Sequence, residues 1–232
     1  MTQPPDSPVP LPAAAVADAL VRMGREVRLA PASIRRARPG DPIAGPAIPV
    51  AHFGSVDVFL EALESAPRGG VLVIDNEART DEGCIGDLVV AECRLAGLAG
   101  IVVWGLHRDS VALASIDLPV WSLGTVPAGP RGPRPPGRTG RPVRVGELEV
   151  ANGDIVVADD DGVLLVDRAD WEAAAVIAAG IVAVESAQAE RIAGGTSLRN
   201  QLRFSDYLAR RATDPGYTLR DHLRTSGGAI ET

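Results

Sequence analysis

Residues Gly86–Asp109 read GDLVVAECRLAGLAGIVVWGLHRD. A Gly-Asp suited to opening a helix leads into a helical stretch over Gly86–Leu98, and Gly100–Trp104 follows as a short apolar run of the kind found in buried parallel strands. The segment closes on Arg108-Asp109, 22 residues after Gly86. Upstream, Val71–Asp75 (VLVID) is a second such run. If the two runs are parallel neighbours, the connecting helix starts at the carboxyl end of the first strand, and the second strand ends on the same edge. The polar loop Asn76–Ile85, the helix N-terminus at Gly86 and the residues after Trp104 then converge where open α/β sheets bind ligands.

On that edge the backbone amides of Gly86, Asp87, Leu88 and Val89 can hold a carboxylate, assisted by the helix dipole. Gly86 permits close approach because it has no Cβ. Gly105 allows a tight turn that lets Arg108 and Asp109 face one pocket. Arg108 offers a planar donor fork to a carboxylate or enolate oxygen. Asp109 suits magnesium, which keeps several waters and completes its shell from the substrate. Asp87 could serve as a second carboxylate, orienting a water on that metal. An ordinary helix start and a surface Arg-Asp turn have the same spacing, so spacing alone leaves both readings open.

Composition narrows the chemistry. The 232 residues suffice for one well-buried α/β domain or at most two small ones. Aromatic residues make up 3% of the chain, so the core must be aliphatic. A formal net charge of -7 weighs against nucleic-acid binding, which favours a basic surface. No apolar run of membrane-spanning length is apparent and residues 1–11, rich in proline, do not resemble a signal peptide, so a cytoplasmic location is expected with no membrane partner. All 23 basic residues are arginine. Without a lysine the chain cannot work as a Schiff-base aldolase, a pyridoxal phosphate enzyme or a P-loop nucleotidase. Carbanion chemistry here needs a metal or another electron sink. Cys84 and Cys93 have no histidine at ligand spacing, which argues against zinc; Cys93 reads as a buried helix residue and Cys84 as an incidental loop thiol.

Along the chain, residues 1–11 read as a mobile leader and residues from Pro12 to Gly24 as a helix. Residues 43–52 look like strand interrupted by turns, with Ser55 capping a helix over Val56–Ser65. Val120-Trp121 begins a further strand. Residues 124–141, rich in Pro, Gly and Arg, read as a long surface loop. Residues 142–166 read as short antiparallel strands, and Asp170–Ala193 as a long Ala-rich helix. The remainder, helix-like with breaks, is too short for its own core and should pack on the domain or on a neighbouring subunit. Asp159–Asp161 lacks the alternation of a calcium loop and reads as a solvated turn. His52 and His222 read as core or surface residues, the arginines at 131, 134, 138 and 141 as solvated, and Trp104 as pocket lining or packing.

Gly86-Asp87, Ala91, Gly97, Gly100, Gly105 and Arg108-Asp109 closely resemble the GD-x-x-x-A…G-x-x-G…G-x-x-RD pattern of the RraA-like family. That family includes 4-hydroxy-4-methyl-2-oxoglutarate aldolases and regulators of ribonuclease activity. Gly153-Asp154, Val156-Val157 and Asp159–Val163 are similar to its second block, and Asp18-Ala19-Leu20 to its start. The resemblance covers roughly residues 12–195. It implies a single α/β domain with a swivelling β/β/α-type fold and a mixed sheet, to which the helix-like residues 196–232 add a C-terminal helical extension. It also implies a homotrimer or hexamer with sites at subunit interfaces.

The implied activity is that of a class II, metal-dependent lyase acting on pyruvyl-type 2-oxo acids, as an aldolase or an oxaloacetate decarboxylase. Carried over, Gly86, Asp87, Leu88 and Val89 would hold the substrate carboxylate, Arg108 the enolate oxygen, and Asp109 a Mg²⁺ or Mn²⁺ ion. Asp87 is the candidate base. Family aldolases also use an acidic residue near a Gly-Glu sequence of a neighbouring subunit. This chain has Gly194-Gly195-Thr196 there, which weighs against aldol cleavage more than against decarboxylation. His107 stands where the family usually has a smaller residue. The competing reading is a noncatalytic regulator that binds a protein partner such as a ribonuclease.

Overall fold

The computed structural model describes residues 10–130 and 137–226. Its main sheet has nine strands. Four of them, Ile43–Ala51, Val71–Asp75, Gly100–Trp104 and Val120–Ser122, run parallel in that order at the centre. Antiparallel strands extend both ends: Ile155–Ala158, Val163–Val166 and Arg28–Leu29 on one side, Arg35–Arg36 on the other. The parallel pairing of Val71–Asp75 with Gly100–Trp104 is the arrangement that the two apolar runs predict.

Alternation along the strands builds three packed layers. Val71, Val73, Val102, Trp121, Val156 and Leu165 point to the inner face of the curled sheet, where the hairpin Val143–Val145/Leu148–Val150 closes over them. Leu72, Ile74, Ile101 and Val103 point outward, beneath the helices Asp57–Glu64 and Asp87–Ala96. Ile155, Val157, Leu164 and Val166 face the helices Ala13–Arg22 and Trp171–Ala193. Because both faces of the sheet are covered, its strands are apolar without a polar alternate, as VLVID shows.

Several expectations need correction. Residues 43–51 form one continuous strand despite Pro46 and Pro49. The first half pairs antiparallel with Ile155–Ala158 and the second half parallel with Val71–Asp75, so Pro46 and Pro49 fall in halves with different main partners. The end of the supposed polar loop, Gly83–Ile85, is a buried strand parallel to Leu106–His107, and Cys84 lies in it. Val56, not Ser55, occupies the N-cap of the helix Asp57–Glu64. In the supposed loop 124–141, Arg138–Thr139 pairs with Val50-Ala51, while Arg131 and Arg134 lie outside the described residues.

The helix Trp171–Ala193 is, by length and composition, long and apolar enough to cross a membrane, contrary to the sequence expectation. Its Ala174, Ala178 and Ile181 pack against Ala13–Leu20, but Val176 and Val184 are exposed.

Two acidic positions read as surface turn are built into the fold. The buried Asp159 carboxylate accepts the Ala13 amide (2.8 Å) and the Asp161 amide (3.0 Å), and its carbonyl accepts Trp121 Nε1 (2.8 Å). Asp160 pairs with Arg36, whose guanidinium lies over the Trp121 ring. At the C-terminus the helices Leu198–Gln201, Phe204–Thr213 and Leu219–Ser226 gather Leu202, Tyr207, Tyr217, His222 and Leu223 into a small cluster. His222 Nε2 lies 2.9 Å from the Leu202 carbonyl, inside that cluster.

Candidate functional site

Gly86 is the N-cap of the helix Asp87–Ala96, in extended conformation, at the carboxyl edge of the parallel strands. Arg108 follows the short strand Leu106–His107, and its amide donates to the Ile85 carbonyl (3.0 Å), which holds the two segments side by side. A Cβ placed on Gly86 would lie 2.3 Å from Asp109 Oδ2 and 3.0 Å from Arg108 Nε. Only glycine leaves room there for both side chains. Gly83 is equally confined, its Cβ position 3.0 Å from Arg108 Cβ. The helix start, the guanidinium and the carboxylate predicted to converge do so.

Arg108 Nε and Asp109 Oδ2 are 3.2 Å apart, and both side chains are part-exposed. Asp109 has φ 59° and ψ 36°, the left-handed region that aspartate tolerates better than most residues. Asp87 Oδ1 accepts its neighbour's Leu88 amide (2.8 Å), so one of the four amides expected to hold a carboxylate already has an acceptor. The Leu88 side chain is exposed, whereas Gly86 is buried. A cavity of about 410 Å³ opens here, lined by Gly86–Val89 and Arg108.

Sequence reasoning missed two walls of this cavity and a buried support. Gly54–Val56 forms one, and Pro130 of the Pro-Gly-rich segment another. A Cβ on Gly129 would lie 2.2 Å from Arg108 Nη1, and the Ala128 carbonyl accepts the Gly83 amide (2.7 Å). The glycines and prolines of 124–141 that suggested an unconstrained loop thus allow the backbone to press against Arg108. The support is a buried polar cluster. His52, stacked on Phe59, has Nδ1 2.8 Å from Asn76 Oδ1, and Arg79 bonds both Asn76 and Glu82. This cluster anchors the loop that delivers Gly83–Gly86. Gly105 serves it too: its Cβ position is 2.8 Å from Asn76 Cβ.

Other candidates fall away from the cavity. Trp104 packs in the inner core. His107 turns away from Gly86, is buried, and pairs through Nδ1 with Ser122 Oγ (2.8 Å); burial holds its pKa below the ordinary value. Burial also raises the Cys84 thiol pKa, and pushes that of Cys93 up to about 12. Neither is a thiolate at neutral pH. Among the described residues no three His, Cys, Asp or Glu side chains group as a metal cage. Asp109, part-exposed and paired with the Arg108 that lines the cavity, offers one hard-oxygen donor, which fits a magnesium-type ion that draws its other ligands from water and substrate.

A mixed, curled α/β sheet with a Gly-Asp helix start facing an Arg-Asp turn defines the class. A family model described as RraA-like, Aldolase/RraA, matches residues 13–165, and the chain belongs to that family. Solved structures agree. Streptomyces coelicolor RraAS2, an unusual member of the RNase ES inhibitor RraA protein family, superposes with TM-score 0.68 at 28% identity, covering 77% of this chain and 92% of that one. An uncharacterized protein from Pseudomonas syringae pv. tomato gives TM-score 0.71 at 23% identity, over 82% and 91%. The RNA-processing inhibitor RraA from Thermus thermophilis gives 0.59 at 24%, over 65% and 92%. The last two likenesses concern the fold alone.

Proposed function

We propose that this chain is a divalent-metal-dependent carbon–carbon lyase for pyruvyl-type 2-oxo acids, with oxaloacetate decarboxylation its best-supported reaction. The observation that carries the reading is the close packing of Arg108 and Asp109 against Gly86, beside helix amides on an open cavity. A substrate carboxylate would accept from the amides at Gly86–Val89, displacing Asp87 from Leu88 where it competes. The Arg108 guanidinium would face the 2-oxo oxygen. Cleavage of the C3–C4 bond releases CO2 and moves its electron pair into the C2–C3 bond, so negative charge gathers on that oxygen, where Arg108 stabilises it. Asp109 would hold a Mg²⁺ or Mn²⁺ ion, which when bound supplies Lewis-acid polarisation of the same oxygen. Aldol cleavage further requires removal of the C4 hydroxyl proton, a task for Asp87 as base. The absence of lysine supports a metal rather than a Schiff base as electron sink.

The test is pyruvate release from oxaloacetate and from 4-hydroxy-4-methyl-2-oxoglutarate, with Mg²⁺ and with chelator. Turnover that needs the metal and fails in Asp109→Ala supports the reading. No metal-dependent turnover of either substrate overturns it.

A second reading is a noncatalytic regulator, favoured by the likeness to RraAS2, an unusual member of the RNase ES inhibitor RraA protein family. It expects inhibition of an RNase E-type endonuclease by the intact chain, undiminished in Arg108→Gln. Either reading is of a cytoplasmic homotrimer or hexamer, and the exposed Val176 and Val184 support assembly.

A further inference from the structure

A second cavity, of about 370 Å³, lies under the edge strand Arg35–Arg36 and takes in His107 rather than Arg108. Neighbouring residues of an extended segment point to opposite sides, so the two cavities stand back to back across one stretch of backbone. The floor is apolar, formed by Leu113, Leu118 and Val120. The rim is cationic. Arg35 pairs in the sheet with Ser122, and its exposed guanidinium has no ion-pair partner among the described residues. Arg38 donates to the carbonyls of Ala114 (2.9 Å) and Ile116 (3.4 Å) but, among the described residues, to no carboxylate. Among the described residues no Asp or Glu lines the space, in a chain of net charge -7. The His107–Ser122 pair puts buried polar groups in its wall. The size suits a small molecule. Two guanidiniums without acidic partners suit an anionic head.

We infer that this cavity is a second ligand site, taking a small amphiphilic anion whose carboxylate or phosphate meets Arg35 and whose compact apolar body packs on Leu113, Leu118 and Val120. It goes beyond the lyase reading and does not depend on it. A molecule seated there would touch His107, whose neighbour Arg108 belongs to the first cavity.

The probes are benzoate and phenyl phosphate, with benzylamine as the charge-reversed control, titrated into the full chain carrying Arg108→Gln to weaken anion binding in the first cavity, with the His107 resonance and the Arg35 variants separating the two sites. Calorimetry and the ring resonances of the three histidines report binding. One saturable site per chain is expected for at least one anion, with the His107 resonance moving while His52 and His222, buried elsewhere, stay still. The tighter of the two anions identifies the head group. Adding Arg35→Gln should weaken binding about tenfold or more, and Arg35→Glu should abolish it. Because Arg35 is exposed, both variants should fold, which circular dichroism checks. Absence of saturable binding up to about 10 mM, binding unchanged by Arg35→Glu, or benzylamine bound as well as benzoate overturns the inference. So does a change in assembly mass on Arg35→Glu with no anion bound to the parent, which would make the cavity a face between copies of the chain.

Discussion

Gly86 is confined by both charged side chains of the candidate site. Alanine there would drive a methyl group into Asp109 Oδ2 at 2.3 Å, so the carboxylate must swing away from Arg108. Gly86→Ala should therefore fold but lose most oxaloacetate turnover. Arg108→Gln, which removes the charge facing the developing oxyanion, should lower kcat by about 100-fold or more. Steady-state pyruvate release measures both, and unchanged turnover in Arg108→Gln would show that Arg108 is no oxyanion partner. His107 makes a different prediction. Burial lowers its folded pKa beneath the ordinary 6.5, so below about pH 6.5 the unfolded chain binds a proton that the folded chain resists. Stability should fall as pH drops through that window and level off beneath the folded value. Urea titrations between pH 5 and 8 should show this slope, reduced in His107→Asn.

At the scale of elements, the helix Ala13–Arg22 depends on a residue far along the chain. Pro12 at its N-cap makes no side-chain bond, and Asp159 supplies the acceptor for Ala13. Asp159→Ala should cost about 1–2 kcal/mol of unfolding free energy, read from the denaturant midpoint. Asp160→Ala, which loses only an exposed partner of Arg36, should cost under about 1 kcal/mol. The frame of the unit from Val71 to Asp109 was legible because its signals are local, namely apolar runs of strand length, a helix between them and glycines at the turns, whereas the short strand Gly83–Ile85, only three residues long, was not. Residues 43–51 were not, because local propensity reads Pro46 and Pro49 as breaks, whereas pairing with two different strands accommodates them. The Asp159 cap, the His52–Glu82 cluster and the approach of Gly129 to Arg108 were hidden for a related reason. Each joins residues remote in sequence, and nothing in spacing or composition marks such partners.

The whole molecule presents its longest helix largely uncovered. Val176 is 75% exposed on Trp171–Ala193, opposite the face that meets Ala13–Leu20. If assembly covers this face, Val176→Glu should reduce the mass measured by light scattering toward that of one chain while leaving the circular dichroism spectrum intact. An unchanged mass would assign the contact to another surface. Topology also bears on how the molecule is made. One end of the strand Ile43–Ala51 binds residues 71–75, whereas the other waits for residues 155–158. On a ribosome adding about 5–20 residues per second, the first half of that strand must spend on the order of ten seconds without its partner. During that interval Ile43 and Ala44 offer an open, apolar strand edge. A nascent chain of this protein is therefore most exposed to chaperone capture, or to pairing with a sister chain on the same message, before the hairpin from Ile155 to Val166 has emerged.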